Sequence, residues 1–530
     1  MTGVLLTAIL AAIVGLALLA KKLHVPYPIV FVLGGLAIGL IPGAPAITLA
    51  PETVFLLFLP PLIFGDGWTT DYREFKRYYQ PIFLLAIGLV VFTSAIVAVV
   101  AHVMMGFPIA LGFVLGAILS PTDAVATDAI AEEVPLPKIL MTLISGESLV
   151  NDATGLVLYR FAVTAVATGV FSLLLATLQF VYVVVVGVGV GLAIAWAIEK
   201  LMMAIRKAGL ADELITVSLT LIAPFALYVP ADALGASGVL AAMSGGIYLS
   251  RRTNTIFDAD SRIAASSIWN LLFFVFNGAA FVLIGLQLRT IVRALNAHPL
   301  PQLIGWALAI ALVVVLVRFL WVFPVAYGRR RLWPSIRERE GPDPPWQAVF
   351  VLSSAGMRGI VSLAAALALP ETIAPGVPFP ERDLILFVTF VVILTTLVGE
   401  GLAMPWLIRR FKLEAHEDTR ELATVRVRLA EHVRDHLRTL EADFTSTAEW
   451  EVAGRLQADY EQRITHFAAH ADGVEPADDA LQHEIERRLR REAYAAERRA
   501  LGDLRRAGAI SDGVYRTMEW DIDLAESQLA

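Results

Sequence analysis

SPTDAVA (Ser120–Ala126) and GESLVNDATG (Gly146–Gly155) decide the fold class, because each sets carboxylates inside a stretch otherwise apolar enough to cross a bilayer. An ionised side chain at membrane depth costs roughly +2.5–3.5 kcal/mol on insertion scales, so it faces a partner, water or an ion pathway. Asp123 and Asp152, with Thr122, Ser148 and Asn151 beside them, offer hard oxygen ligands for a small cation. The two carboxylates can also take a proton. An ion-coupled membrane transporter is expected, with Asp152 and Asp123 as ligands of a small cation.

Composition agrees. Of 530 residues, 57% are hydrophobic and 17% charged, and the mean hydropathy of +0.68 lies well outside soluble norms. From Glu414 onward there are 26 acidic and 16 basic residues, whereas residues 1–413 hold 23 acidic and 26 basic. A membrane domain over residues 1–412 and a polar tail over 413–530 follow. The chain has no cysteine, which removes disulfide and thiol chemistry. The first apolar run, Val4–Ala20, lacks a cleavage-site pattern and leads into further spans, so it reads as a retained first helix.

Windows long enough to cross ~30 Å of hydrocarbon recur. They lie near 3–20, 26–41, 51–67, 79–103, 107–131, 138–167, 172–201, 212–230, 235–250, 266–290, 300–327, 345–369 and 383–410, thirteen in all. Loop charge alternates with them. Loops after the odd-numbered spans 1 to 11 carry 17 basic residues, among them Lys21, Arg73, Lys138, Arg206, Arg251, Arg337 and Arg339. The opposite side has Arg289, Arg293 and Arg382. Lys and Arg accumulate on the cytoplasmic side, which places the N-terminus outside and the tail inside.

Two spans are interrupted. Pro121 lies mid-helix in the fifth, where it removes a backbone hydrogen bond and clashes with the preceding turn. In the twelfth, Gly356-Met357-Arg358-Gly359 puts a cation between two glycines. Interruptions at matching places in two halves point to a midplane site in an inverted-repeat transporter. The repeats would be spans 1–6 and 8–13, with span 7 as linker. In the sixth span Ser148 and Asp152 share one face, while Glu147 and Asp152 lie about 140° apart around the helix. Asp152 is then the exchanging carboxylate and Glu147 a structural one. Arg160, Arg318 and Arg358 are the basic residues placed deep within spans, and Arg358, at the second break, is the expected partner of Glu147.

FLPPLIFGDGW (Phe58–Trp68), SPTDAVA, EEVPLPKILMTLISGESLVNDATGLVLY (Glu132–Tyr159) and GMRGIVSLA (Gly356–Ala364) resemble the monovalent cation/proton antiporters, which include bacterial sodium/proton antiporters and animal sodium/hydrogen exchangers. The resemblance covers roughly residues 1–412. It implies an all-α polytopic membrane fold with two crossed broken helices, assembled as a homodimer, with no cofactor beyond the transported ions. It further implies that Asp152 of the Asn151-Asp152 pair binds cation and proton alternately. Thr122 and Asp123 are similar to the unwound-helix ion-site pair, Ser148 to a supporting ligand, and Glu147–Arg358 to a structural ion pair. Three departures stand out. Ala124 occupies the place of a second proline. Gly65 stands where relatives often carry a carboxylate, with Asp66 one place later, either a gate or ion-path residue or a solvated helix-end acid. Asparagine before the essential aspartate resembles electroneutral exchangers, which implies one-for-one exchange.

Exchange of sodium for a proton across a plasma membrane, a bacterial inner membrane in this setting, serving pH and sodium homeostasis, is the expected function. A potassium-selective antiporter and a cation channel are the alternatives. A channel needs no carboxylate that changes protonation each cycle, and HExxH, nucleophile-elbow and P-loop patterns are absent, so no enzyme is expected. The bilayer and a second copy are the expected partners, with no nucleic acid. In the tail, Leu429, Val433, Leu437, Leu440 and Phe444 recur at helical spacing, GVEPADD (Gly473–Asp479) breaks the pattern, and ERRLRREAYAAERR (Glu486–Arg499) resumes it. A soluble helical tail follows, either regulatory or dimer-contacting or simply a solvated hairpin, and its sequence identifies no partner.

Overall fold

In the computed structural model the chain forms two compact units, Met1–Glu414 and Ala415–Ala530. Residues 2–41, 51–169, 173–294, 299–332, 343–374, 376–413, 417–441, 445–471, 477–507, 509 and 511–527 are described. Arg337, Arg339, Phe444 and the first part of the expected tail break, Gly473–Pro476, lie outside them.

The first unit opens with α1 (Thr2–Leu23), α2 (Tyr27–Leu40), α3 (Pro51–Thr69) and the short α4 (Tyr72–Arg77). The fourth span is α5 (Tyr79–Phe83), a π-helical stretch Leu84–Leu89 and α6 (Val90–Met105). The fifth is two half-helices, α7 (Ile109–Leu119) and α8 (Ala124–Glu133), and the sixth is α9 (Lys138–Thr168). Then come α10 (Leu173–Lys207), α11 (Glu213–Ala233), α12 (Gly238–Ser250), the short α13 (Thr253–Ile256) and α14 (Ala259–Ala294). The eleventh span is α15 (Leu300–Phe323), a π-helical stretch Pro324–Gly328 and α16 (Arg329–Leu332). The twelfth is again two half-helices, α17 (Trp346–Ser354) and α18 (Ile360–Leu367); a small hairpin, β1 (Thr372–Ala374) and β2 (Val377–Pro378), leads into α19 (Arg382–Phe411).

Each of the thirteen apolar windows carries helix. In hydrocarbon the backbone must satisfy its own hydrogen bonds, and a helix does so within one segment. Among the described residues eight helices are long and apolar enough to cross a membrane, and Tyr27–Leu40 and Gly238–Ser250 are shorter apolar ones. Those two short helices hold the second position in each set of six. Each packs on the third helix of the other set, α2 on α14 and α12 on α3. The reciprocal pairing gives the two repeats one shared interior.

Small residues let the backbones approach, as lipid-embedded helices require. A Cβ at Gly112 or Gly116 of α7 would come within 2.7 and 2.6 Å of Ala98 and Ser94 on α6. Between α3 and α12 the arrangement is mutual: Gly67 faces the Met243 carbonyl and Gly246 the Phe64 carbonyl, each at 2.6 Å from a Cβ. Helix α9 lies between two apolar cores. Ile144, Tyr159 and Ala162 belong to one, and Leu149, Val150 and Ala153 to the other. Its polar run, Glu147 to Asp152, therefore sits on the seam.

The second unit holds α20 (Glu417–Leu440), α21 (Thr447–Ala471), α22 (Ala477–Arg506) and α23 (Asp512–Ser527), with α20 packed on α21 and α22 on α23. The inward face of α20 matches the expected stripe in part: Val433 and Leu437 are half-buried, while Leu429 and Leu440 are 61% and 38% exposed and the smaller Ala423 and Ala430 are buried.

Candidate functional site

The two breaks cross. Pro121 ends the ladder of α7, and the chain runs extended through Asp123 before α8 begins. The Asp123 N–H donates to the Met357 carbonyl at 2.7 Å, which ties one break to the other. Each half-helix start leaves N–H groups without intrahelical partners. The Asp123 carboxylate accepts one from Val125 of α8 at 2.9 Å and another from Ile360 of α18. One anion thus serves two positive helix ends. A Cβ at Gly359 would lie on the Asp123 carboxylate, so glycine is required there. Gly155 of α9 likewise lets Pro121 lie against the helix.

Ser148 splints the first break: its hydroxyl donates to the Thr122 carbonyl at 2.9 Å and accepts from the Ala124 N–H at 3.2 Å. The Thr122 hydroxyl receives the Asn151 amide at 2.8 Å and donates to Glu147 at 3.4 Å. Asn151 Oδ1 is buried without a hydrogen-bond partner among the described residues.

Asp152, Asp123 and Asp66 line one cavity of about 30 Å³ with Thr122, Ser148 and Ser362, space for one or two water-sized spheres. Asp152 is 7% exposed and feels the charges of Asp123 and Asp66. No basic side chain lines this cavity among the described residues. Asp66, Leu62 and Val125 also border an open cleft of about 850 Å³ that reaches Asp71, Asp128 and Lys138. Asp66 therefore stands between cavity and cleft. Of the five expected ligands, Asp152, Asp123, Thr122 and Ser148 meet at the cavity, while Asn151 lies behind Thr122.

The expected Glu147–Arg358 pair is corrected. Glu147 makes a bidentate pair with Arg318, both 1% exposed: Nη1 meets Oε1, and Nη2 meets Oε2 at 2.9 Å. Arg318 also donates to the Leu352 carbonyl in the last turn of α17, at 3.1 Å. Arg358 instead caps helix ends. It donates through Nε to the Leu119 carbonyl at 3.1 Å and through Nη1 to the Gly356 carbonyl. Its charge is answered foremost by Glu400 of α19, which accepts the Gly356 N–H at 3.0 Å. Cations near carbonyl-bearing helix ends are favourable, and two arginines divide this work between the half-helices. Arg160 is corrected too: it is 53% exposed and paired with Asp232 at 2.9 Å. Glu400 was missed by sequence reasoning, although an acid between Gly399 and Gly401 in an apolar helix was the available signal.

A helical bundle with two crossed broken helices and an acid-lined cavity at their crossing is the architecture found in inverted-repeat membrane carriers. The chain belongs to the sodium/hydrogen exchanger family, whose transmembrane model matches residues 7–410. It is 36% identical over 411 residues to a sodium, potassium, lithium and rubidium/H(+) antiporter of Bacillus pumilus, covering 75% of this chain and 61% of that protein. It is 34% identical over 531 residues to an uncharacterized Na(+)/H(+) exchanger of Mycobacterium tuberculosis, covering 99% and 96%. The matches to two Bacillus relatives span only 61% and 57% of their lengths. Among solved structures the sodium proton antiporter MjNhaP1 of Methanocaldococcus jannaschii shares the fold, with a TM-score of 0.56 at 20% identity over 76% of this chain and 97% of that one.

Proposed function

We propose that the chain exchanges a monovalent cation for a proton by alternating access, with Asp152 as the group that holds either one. One observation carries this: three carboxylates converge on a cavity that no basic side chain lines among the described residues. Like charges this close, out of bulk water, call for a cation or a proton between them. Asp123 is already served by two backbone N–H groups and answers the helix ends. The Asp152 carboxylate instead lines the cavity and feels the charges of the two other acids there. Asp152 is thus the acid left to exchange, with Thr122 and Ser148 supplying neutral oxygens and Asp66 controlling passage from the cleft. In this scheme one proton moves against one cation, the N-terminus is outside, the tail cytoplasmic, and the working form a homodimer in a plasma membrane, where exchange serves pH and sodium homeostasis.

Sodium is the proposed cargo. The Bacillus pumilus relative, a sodium, potassium, lithium and rubidium/H(+) antiporter, favours a second reading in which potassium is also carried. Everted vesicles with a ΔpH-reporting dye, challenged with each chloride salt, distinguish the two. Asp152→Asn keeps volume and hydrogen bonding but cannot cycle a proton; it should abolish cation-dependent dequenching while the purified protein retains its wild-type elution profile. Proton movement persisting in that variant would overturn the single-site scheme.

A further inference from the structure

We propose that the cleft between the C-terminal turns of α1 and α19 is a binding site for the headgroup of an anionic phospholipid. The cleft holds about 870 Å³ and is lined by Lys21 and His24 from the end of α1 and by Leu402, Trp406, Arg409 and Arg410 from α19. Three fixed positive charges and an imidazole converge there, and no carboxylate lines it among the described residues. None of the four basic side chains is ion-paired among the described residues.

A simpler account is that basic residues collect at helix C-termini and answer the dipole. That explains charges along each helix but not the turn of two helix ends toward one cavity. His24, which lines the cleft, and Lys412, which follows α19, adopt left-handed backbone, with φ of 53° and 52°, and so end the two helices. Nor does it explain the apolar wall. Trp406 and Leu402 are 64% and 51% exposed, and they carry the cleft lining onto the exposed side of α19. Tryptophan favours the bilayer interface. A phosphodiester fits the guanidinium and ammonium donors, and acyl chains fit the Leu402–Trp406 wall. A basic pocket between spanning helices, on the face carrying the basic loops, suits anionic lipid; soluble phosphate would leave the wall uncovered.

The test uses the full chain in micelles, titrated with brominated phosphatidylglycerol or brominated phosphatidylcholine while tryptophan emission is followed. Phosphatidylglycerol should quench Trp406 at a mole fraction at least tenfold lower than phosphatidylcholine does, and Trp406→Phe should erase the difference. Arg409→Gln and Arg410→Gln should each weaken phosphatidylglycerol binding about fivefold, and with Lys21→Gln added the preference should vanish. Equal quenching by both lipids, or a preference that survives the triple variant, would overturn the proposal. Displacement of the lipid by equimolar glycerol 3-phosphate would reassign the site to a soluble phosphate and overturn it as well. The single variants keep the test decisive if the triple variant fails to fold.

Discussion

At the residue scale, Glu147 and Arg318 show how a buried charge is held. Both lie in the dry interior, and removing one partner of such a pair leaves the other uncompensated, at about 3–5 kcal/mol. Glu147→Gln or Arg318→Gln alone should lower thermal stability steeply, and the double variant should lose less than the sum, as a double-mutant cycle on detergent-solubilised protein would show. Arg358→Gln should couple to Glu400→Gln in the same way and not to Glu147→Gln; strong coupling to Glu147 would restore the pairing expected from sequence. The acids were legible in the sequence because a charge in an apolar window is conspicuous. Their partners were not. Arg318 stands alone in LVVVLVRFLWVF, and sequence distance carries no information on which of two arginines faces a carboxylate 171 residues away. Proximity to a helix break favoured Arg358, but that guanidinium is engaged by the carbonyls the break itself frees.

At the scale of elements, the crossing depends on absent side chains as much as on present ones. Gly359→Ala would place a methyl on the Asp123 carboxylate, so we expect exchange to fall at least tenfold while the protein still purifies as a folded species. Ser148→Ala should remove a splint and leave a buried carbonyl and N–H unserved, at about 1–3 kcal/mol, read as a lower melting temperature. Wild-type exchange in Gly359→Ala would mean that Asp123 is free to move aside. The breaks were legible because proline and paired glycines announce them. That Asp123 serves both half-helices was not, since Val125 and Ile360 meet only when α8 and α18 cross. In the tail, helical periodicity was legible but its inward face only in part: Val433 and Leu437 turn partly inward, whereas the buried Ala423 and Ala430 were passed over because leucines outrank alanines on any hydrophobicity count.

At the scale of the whole molecule, one exchanging carboxylate predicts competition. Raising the cation concentration should shift the acid limb of the pH–rate profile toward lower pH, because cation and proton seek the same oxygen atoms. One-for-one exchange also predicts that vesicles held at zero and at −100 mV develop the same pH gradient; a gradient driven by voltage at equal cation concentrations would exclude it. The buried pair of Glu147 with Arg318 carries a further consequence. Its two charges cancel, so if the pair shifts as a unit within the membrane's field it displaces no net charge. A transient current on solid-supported membranes would therefore draw nothing from that pair, however far it travels with its helices.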